Sequence, residues 1–508
     1  MSNSGKKLCA VYVFGLAALL FSIEPSVRGQ RPKAGGNQPE KPGLTKLYFG
    51  VDTCINCHSK KDPSELKPPP ILCRCNEVLS WEEADKHKDA YKNLLGPRGL
   101  QMAKLLGIPD VGKEKSCVSC HGVYVAPDKL KELTDPSFKP KDGVSCVACH
   151  GPYAEWVNPH GSTLQRDREK WRSLSRQTKE EQYGMTDLWD PAKRTKMCAS
   201  CHIGHTDEGK VVTHAMYAAG HPPLPSIEIA TFSDEMPRHW QYLREKNERA
   251  QKMLGYNPAE LERTKLVMVG GAVDFQAAME LLATQAEMSG QTGDPENRLL
   301  DLARFDCYAC HHDLKRPSWR QARGYSATPG RPQFNSWPLA LIKMGILHAG
   351  QPKDLEDRLN RLHRAFDMEP FGKLDQIASA ARDLANWSQQ LKDELNNPNT
   401  KYDQASVPRL LRQFCALAAL ETPDYDTARQ MAWAFRVIYS EWVPRPANDA
   451  QIVEQLKALN EQLKLTLPSG QEQQILMQLP IALQKISDYD PAQFKQTFEA
   501  LAKLLPPQ

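Results

Sequence analysis

The chain is 508 residues long, with 41% apolar residues, 25% charged residues and a formal net charge of +4. This length suggests about three domains, and the nearly balanced charge gives no support for nucleic-acid binding. The 38 prolines are many for a compact globular protein, so we expect short elements joined by frequent turns.

The first 29 residues predict a secretory signal peptide. Lys6 and Lys7 precede an apolar run over residues 8–23, and residues 27–29 provide a small-residue cleavage site. The run is shorter than the roughly 20 residues that span a bilayer, so an uncleaved membrane anchor is the minority alternative. We therefore expect a periplasmic or otherwise exported bacterial protein that is soluble after cleavage. No later stretch is predicted to be apolar enough to span a membrane.

Five copies of the motif Cys-x-x-Cys-His follow a Gly/Pro-rich stretch, residues 30–45, which predicts a flexible linker. The motifs occupy Cys54–His58, Cys117–His121, Cys146–His150, Cys198–His202 and Cys307–His311. In this motif the two thiols form thioether bonds to a haem, and the histidine binds the iron. We therefore predict a pentahaem cytochrome c domain over residues 46–315.

The motifs predict five covalently bound c-type haems. The attachment residues are Cys54, Cys57, Cys117, Cys120, Cys146, Cys149, Cys198, Cys201, Cys307 and Cys310. The proximal iron ligands are His58, His121, His150, His202 and His311. Structural zinc is the competing interpretation of paired Cys-x-x-Cys motifs, but a zinc site needs no histidine directly after the second cysteine.

Nine histidines outside the motifs are candidates for the second iron ligand. They are His87, His160, His205, His214, His221, His239, His312, His348 and His363. Two histidines on one iron leave no open site and favour electron transfer at low potential.

Several strings resemble the multihaem cytochromes related to cytochrome c-554, which are linked to a hydroxylamine oxidoreductase-like superfamily. They are Asp85-Lys86-His87, Gly143-Val-Ser-Cys146, Cys198-Ala-Ser-Cys-His202-Ile-Gly-His205, Thr213-His214-Ala-Met-Tyr-Ala-Ala-Gly-His221 and Met236-Pro-Arg-His239-Trp240. The resemblance covers residues 50–315 and does not clearly extend into the last 190 or so. It implies a mainly α domain of short helices and long loops, with stacked haems that pass electrons between partner proteins.

The resemblance also implies distal ligands. Its best candidates are His87, His160, His214 and His221, followed by His239. His205 lies too close to His202 to cross the same haem, although it could reach a neighbouring one. The fifth motif departs from the family's familiar four-haem pattern and has no obvious local partner. We therefore expect an unusual iron, if there is one, at Cys307–His311.

The remaining sequence predicts longer helices. One is expected over residues 257–287, with a possible interruption at Gly270-Gly271. Apolar residues then recur at helical spacing in four runs. The runs are Leu355/Leu359/Leu362/Phe366, Ile377/Leu384/Leu391, Ile452/Leu456/Leu459/Leu463 and Phe494/Phe498/Leu501. We predict a haem-free C-terminal helical bundle over residues 316–508, which would serve docking or homo-oligomerisation.

Three cysteines are left over once the signal peptide and the haem motifs are set aside: Cys73, Cys75 and Cys415. No pairing is predicted, because a bridge within Cys73-Arg-Cys75 would be strained. A redox-active or metal-binding role for that pair stays open, and Cys415 is expected to be a buried thiol.

The leading hypothesis is an exported pentahaem cytochrome c that relays electrons between redox partners through mostly bis-histidine haems. One alternative is a reductase or oxidase of a small nitrogen or sulfur oxyanion that uses one five-coordinate haem. Another is a haem-bearing scaffold subunit of a membrane-associated respiratory complex. No Cys-x-x-Cys-Lys occurs, although pentahaem nitrite reductases typically carry that variant, so the relay is favoured over an enzyme.

Overall fold

A computed structural model describes residues 43–61, 72–291, 298–311, 314, 316, 328–350, 354–420, 423–463 and 488–506. The predicted signal peptide, residues 1–29, lies outside them, as does most of the predicted linker. Residues 32–508 belong to one compact unit.

All regular structure in these described ranges is helical, which confirms the mainly α fold class. The first fifteen α-helices are Asp52–His58, Glu77–Ala84, Ala90–Leu94, Pro97–Leu105, Lys115–His121, Leu130–Leu133, Cys146–His150, Ala154–Gly161, Gln165–Ser173, Arg176–Glu181, Pro191–His202, His214–Ala218, Ile229–Glu235, Glu248–Leu254 and Glu262–Gly290. Seven more follow: Leu339–Ala349, Leu355–Asp367, Leu374–Leu395, Val407–Leu420, Tyr425–Ser440, Asp449–Gln462 and Pro491–Leu504. Helices before residue 262 are short and the later ones are longer, as the turn chemistry and the apolar periods predicted.

The helix Glu262–Gly290, called the long helix below, is continuous through Gly270 and Gly271. The prediction of a possible interruption at these two glycines is therefore wrong. A methyl group on Gly270 would lie 2.4 Å from Cγ2 of Ile229, and one on Gly271 would lie 2.3 Å from Cβ of Leu341. The two glycines thus let neighbouring helices approach the long helix closely, which offsets their low helix propensity.

Replacing Gly271 with alanine is expected to destabilise the protein by about 1–3 kcal/mol, because the added methyl group overpacks a site beside Leu341 Cβ. Helix propensity alone predicts the opposite sign, a gain of up to about 1 kcal/mol. The thermal midpoint from circular dichroism distinguishes these two expectations, a loss or a gain of stability. Gly290→Ala in the same helix is the matched control, since no atom of the described residues lies within 4 Å of its added methyl group. A stabilised Gly271→Ala variant would show that the contact is loose.

The long helix also begins later than predicted, at Glu262 instead of residue 257. Asn257 caps a separate turn, in which its Oδ1 accepts a hydrogen bond from the N–H of Ala259 at 3.1 Å. The start of the long helix is capped from far along the chain. The carboxylate of Glu441 accepts hydrogen bonds from the N–H groups of Thr264 at 2.7 Å and Arg263 at 3.3 Å.

The predicted apolar runs of the tail lie on buried helix faces, with Leu362, Ile377 and Phe498 among the fully buried residues. Their core is continuous with the long helix, which packs along Leu374–Leu395 and also contacts Pro191–His202. The domain boundary near residue 315 remains a prediction, but one apolar core extends across it.

The long helix is long and apolar enough to cross a membrane. The prediction that no stretch after the N-terminal segment is apolar enough to do so is therefore wrong. In this structure 78% of its apolar window is buried inside the protein. Such burial is typical of the central helix of a water-soluble core, in which apolar residues face other helices on all sides.

Asp274, in the middle of the long helix, is fully buried, and neither carboxylate oxygen has a hydrogen-bond partner among the described residues. Burial, reinforced by the negative charge of Glu228, raises the pKa of Asp274 well above its usual range. The folded protein therefore keeps the Asp274 proton at pH values where the unfolded chain has lost it. The resulting stability is complete below the unfolded pKa of about 4 and is lost as the pH rises through the folded pKa.

We accordingly expect the Asp274→Asn variant to lose less stability than the wild type between pH 4 and neutral pH. Within that window, the substitution should remove a decrease of about 1.4 kcal/mol per pH unit in the free energy of unfolding. Thermal midpoints measured across the range test the prediction, with exposed Asp375→Asn as the control. Parallel pH profiles for wild type and Asp274→Asn would count against it.

Candidate haem-binding site

Four of the five Cys-x-x-Cys-His motifs lie at the ends of α-helices. Asp52–His58, Lys115–His121, Cys146–His150 and Pro191–His202 each end on the motif histidine. The last is started by Asp190, whose carboxylate accepts a hydrogen bond from the N–H of Lys193, with proline at the first helical position. A helical turn places both thiols and the imidazole on neighbouring faces, as attachment to one porphyrin requires. The fifth motif begins with the 3₁₀ turn Cys307–Ala309.

The motifs lie close to one another although they are distant in sequence. The thiols of Cys54 and Cys146 lie close enough to interact, which relates the first motif to the third. The thiols of Cys120 and Cys201 interact likewise, which relates the second motif to the fourth. Electrostatic interaction between Cys149 and Cys201 relates the third motif to the fourth. Groups attached at these cysteines would therefore be neighbours.

Motif histidines are paired with histidines from elsewhere in the chain. The ring centroids of His58 and His160 are 5.7 Å apart, those of His87 and His202 6.5 Å, those of His121 and His221 6.3 Å, and those of His214 and His311 6.5 Å. Every His–His ring contact in the described ranges joins one motif histidine to one histidine outside the motifs. The fifth motif, which had no obvious partner in the sequence, is thus accompanied by His214.

These separations suit a metal ion between the two rings. An imidazole nitrogen lies about 2 Å from a bound metal, and the ring centre lies about 1 Å farther, so two rings on opposite sides of one ion are roughly 6 Å apart. The Nε2 atoms of His58 and His160 are 3.5 Å apart, somewhat less than the roughly 4 Å that two such bonds require. The residues present therefore fit a haem iron with only a small adjustment.

Hydrogen bonds at Nδ1, the ring nitrogen that would not bind the metal, also support metal binding by these histidines. Nδ1 of His121 bonds the carbonyl oxygen of Ala90 at 3.0 Å, and Nδ1 of His221 bonds that of Pro222 at 2.7 Å. Because a carbonyl oxygen only accepts, Nδ1 must carry the proton in both rings. Burial lowers the pKa of both histidines, so each is neutral and its Nε2 has a free lone pair for a metal.

Carboxylates bond Nδ1 of two further rings, those of His58 and His87. Burial opposes the charged form of each ring, but the neighbouring carboxylate outweighs it and raises the pKa of both histidines. Nδ1 of His58 lies 2.7 Å from Glu77, and Nδ1 of His87 lies 2.9 Å from Asp85. Asp85 also accepts the backbone N–H of His87. Neither carboxylate was expected from the sequence to have a role. Asp85 could have been found from its position two residues before a candidate ligand, whereas Glu77 reaches His58 only through the fold.

The third motif differs from the others. Among the described residues, the ring contact found for His150 is with Trp156, at 6.4 Å. His239 is the candidate partner that interacts with it: after burial, the charge of His239 is the next largest cause that lowers the pKa of His150, to about 4. The Nδ1 atoms of His150 and His239 are both buried without a hydrogen-bond partner among the described residues.

Burial also lowers the pKa of His160 and of His202 to about 4. The chain therefore holds several imidazoles in the neutral form that binds a metal. The remaining described histidines lack a ring contact with a motif histidine: His348 lies on Tyr402 and His363 on Phe334, while Nδ1 of His205 is buried without a partner. His312 lies outside the described residues.

The half-buried side chain of Arg304 lies near the fourth motif and interacts electrostatically with Cys307 of the fifth. A cavity of about 90 Å³ is lined by His202, Tyr217 and Arg304, among others. Arg304 donates one hydrogen bond to the carbonyl of Val212 at 2.8 Å, and its Nε has no partner among the described residues. A guanidinium whose buried Nε lacks a partner among the described residues suits a carboxylate such as a haem propionate.

Five haem-attachment motifs, mostly at helix ends and with paired imidazoles, define a multihaem c-type cytochrome. Residues 53–151 match the family described as cytochrome c554 and c-prime, so this part of the chain is similar to that family. The matched range contains the first three motifs, while the resemblance farther along the chain remains a prediction. No curated protein matches the chain, and no solved structure does.

Proposed function

We propose that the chain is an exported pentahaem cytochrome c that relays electrons between redox partner proteins. When bound, each haem iron supplies reversible one-electron oxidation and reduction. The observation that carries the proposal is the pairing of four motif histidines with four outside histidines at 5.7–6.5 Å. Two imidazoles per iron leave no position for a substrate and favour electron transfer over catalysis.

The proposed ligand pairs are His58/His160, His121/His221, His202/His87 and His311/His214. For the remaining iron we propose His150 with His239, on the weaker ground of their electrostatic interaction. Nδ1 hydrogen bonds fix four of these rings, those of His58, His87, His121 and His221, so little rearrangement of those four accompanies a change of iron charge. That rigidity suits a relay.

Contacts between motifs suggest the order of the relay. The first motif contacts the third, the third interacts with the fourth, and the fourth contacts the second through Cys201 and Cys120. The fifth is related to the fourth through Arg304, which lines a cavity with His202 and interacts electrostatically with Cys307. Electrons could thus cross the protein through neighbouring sites, with the third and fourth motifs at the centre.

Electron paramagnetic resonance of the purified, fully oxidised holoprotein tests this function. We expect mass spectrometry to give five haems per chain and the spectrum to contain low-spin signals only. A high-spin signal that changes when nitrite, hydroxylamine or nitric oxide is added would overturn the relay in favour of the enzyme.

If the protein were instead a reductase or oxidase, one observation indicates which haem iron would have the open coordination site. His150 is the motif histidine without a histidine ring contact in the described ranges, so the geometry moves this candidate from the fifth motif to the third. The His239→Ala variant discriminates. If His239 is a ligand, the variant gains one high-spin signal. If the wild type already has an open iron at His150, its spectrum does not change.

A further inference from the structure

The two cysteines of Cys73-Arg74-Cys75 lie outside the haem motifs, and their thiols face each other. Their Sγ atoms are 3.5 Å apart, and both residues are half-buried. Cys75 is the one non-glycine residue with positive φ in the described ranges, at +61°. Such a conformation costs free energy in an L-residue, so it persists only where the surroundings impose it.

Surrounding groups hold this short loop in place. Lys246 Nζ donates to the carbonyl of Leu72 at 2.8 Å, and the N–H of Lys60 donates to the carbonyl of Cys75 at 2.8 Å. Lys60 closely follows the first haem motif. The loop is therefore fixed at both ends, and its thiols are kept together by the fold and not by local preference.

Glu77 connects the loop to the first haem site. One of its carboxylate oxygens accepts the N–H of Arg74, and the other lies 2.7 Å from Nδ1 of His58. Ligand atoms of His58, Cys73 and Glu77 all lie within 4.8 Å of one another. A change in the loop can thus reach a proposed iron ligand through a single carboxylate.

We propose that Cys73 and Cys75 form a second redox site, a dithiol that is oxidised reversibly to a disulfide by exchange with an external thiol–disulfide couple. The site would take small or protein disulfides of the export compartment as its oxidant. The hydrogen bond from Cys73 lowers the pKa of Cys75, which favours Cys75 as the attacking thiol.

The exchange balances in two steps. The Cys75 sulfur attacks one sulfur of the external disulfide, whose S–S bond breaks and releases one thiol that takes up the proton lost by Cys75. The Cys73 sulfur then attacks Cys75 Sγ, the mixed disulfide breaks, and a second thiol leaves with the proton from Cys73. Two electrons have passed from the cysteine pair to the external disulfide. A bridge across one residue is strained, and strained disulfides are the easily reduced, reversible ones.

The second part of the inference rests on the proposed function. Bringing the sulfur atoms from 3.5 Å to about 2.05 Å must move the Arg74 peptide, whose N–H binds Glu77. The hydrogen bond between Glu77 and His58 then changes, and hydrogen bonds to the outer nitrogen of a ligating histidine tune the metal. The state of the dithiol would therefore be sensed at the iron bound by His58.

Differential alkylation of the holoprotein tests the dithiol directly. The protein is equilibrated with oxidised and reduced glutathione over a range of ratios, quenched with acid, alkylated and digested for mass spectrometry. We expect the Cys73/Cys75 peptide to pass reversibly from two labels to none as the buffer becomes more oxidising. In Cys73→Ser or Cys75→Ser, the remaining thiol should carry glutathione instead. Buried Cys415 is the internal control and should not respond under native conditions.

Three results would overturn the proposal: two labels on the Cys73/Cys75 peptide at every ratio, a bridge that resists all reducing buffers, or protection that a chelator removes. The last would indicate a metal site. The link to His58 is tested separately by the midpoint potential of the haem that His58 binds. We expect this potential to differ between the dithiol and the disulfide forms of the wild type, and to lose that difference in Cys73→Ser. If the labelling succeeds and this shift is absent, the coupling is wrong while the redox site stands. Failure of the relay would instead be seen as high-spin signals in the wild type.

Discussion

Replacing His214 with methionine is expected to raise the midpoint potential of one haem, the one attached at Cys307 and Cys310, and to leave the others nearly unchanged. The ring of His214 lies 6.5 Å from that of His311, and we propose that both bind the same iron. A thioether ligand in place of an imidazole raises the potential of a c-type haem. The expected shift is on the order of 0.2 V, within the span of roughly 0.8 V that axial ligands set. Potentiometric titration followed by visible absorbance measures it.

The matched control is His348→Met. His348 is also a histidine in a helical setting, but its ring lies on Tyr402, 4.9 Å away, and not on a motif histidine. It should leave every potential in place. If His214→Met does the same, His214 is not an iron ligand and the fifth haem is the one with an open site. A high-spin signal without a shifted low-spin species would mean that methionine does not reach the iron.

Sequence alone predicted the attachment half of the site and the names of the distal candidates, because the motif and its flanking strings are local. It could not predict which ligand serves which iron. His58 and His160 are 102 residues apart, and no local periodicity relates two such positions. The same limit hid the partner of His311. Only the folded chain brings His214 to that motif.

The tail illustrates a second limit. Its helix faces followed from apolar spacing, since residues such as Leu362 and Phe498 recur at helical intervals and are buried. What they would pack against did not follow. The long helix, N-terminal to the predicted boundary, packs along Leu374–Leu395, and its two glycines are explained only by Ile229 and Leu341. Truncation after about residue 320 would therefore cut through a core, so point variants are the better test of a docking role.

Replacing Glu441 with alanine is expected to give the largest loss of stability among the substitutions considered. Only 1% of its side chain is exposed, and its carboxylate accepts hydrogen bonds from the N–H of Thr264 and from the guanidinium of Arg244, the latter at 2.9 Å. It also accepts the N–H of Arg263, whereas Leu261, at the N-cap position, provides no side-chain cap. Alanine would leave buried donors without acceptors, at a cost of roughly 3 kcal/mol in the free energy of unfolding.

The charge and the shape of Glu441 can be separated. Glu441→Gln keeps one acceptor oxygen for the start of the long helix but loses the charge opposite Arg244, so its loss should be about 1 kcal/mol. Exposed Glu461→Ala, on the neighbouring helix Asp449–Gln462, should change little. The thermal midpoint from far-ultraviolet circular dichroism measures all three. Since the long helix also contacts Pro191–His202, the haem absorbance of Glu441→Ala should change in the same transition in which its helicity is lost. Two separate transitions would mean that the tail and the haem region unfold independently, and that the core crossing residue 315 does not bind them into one cooperative unit.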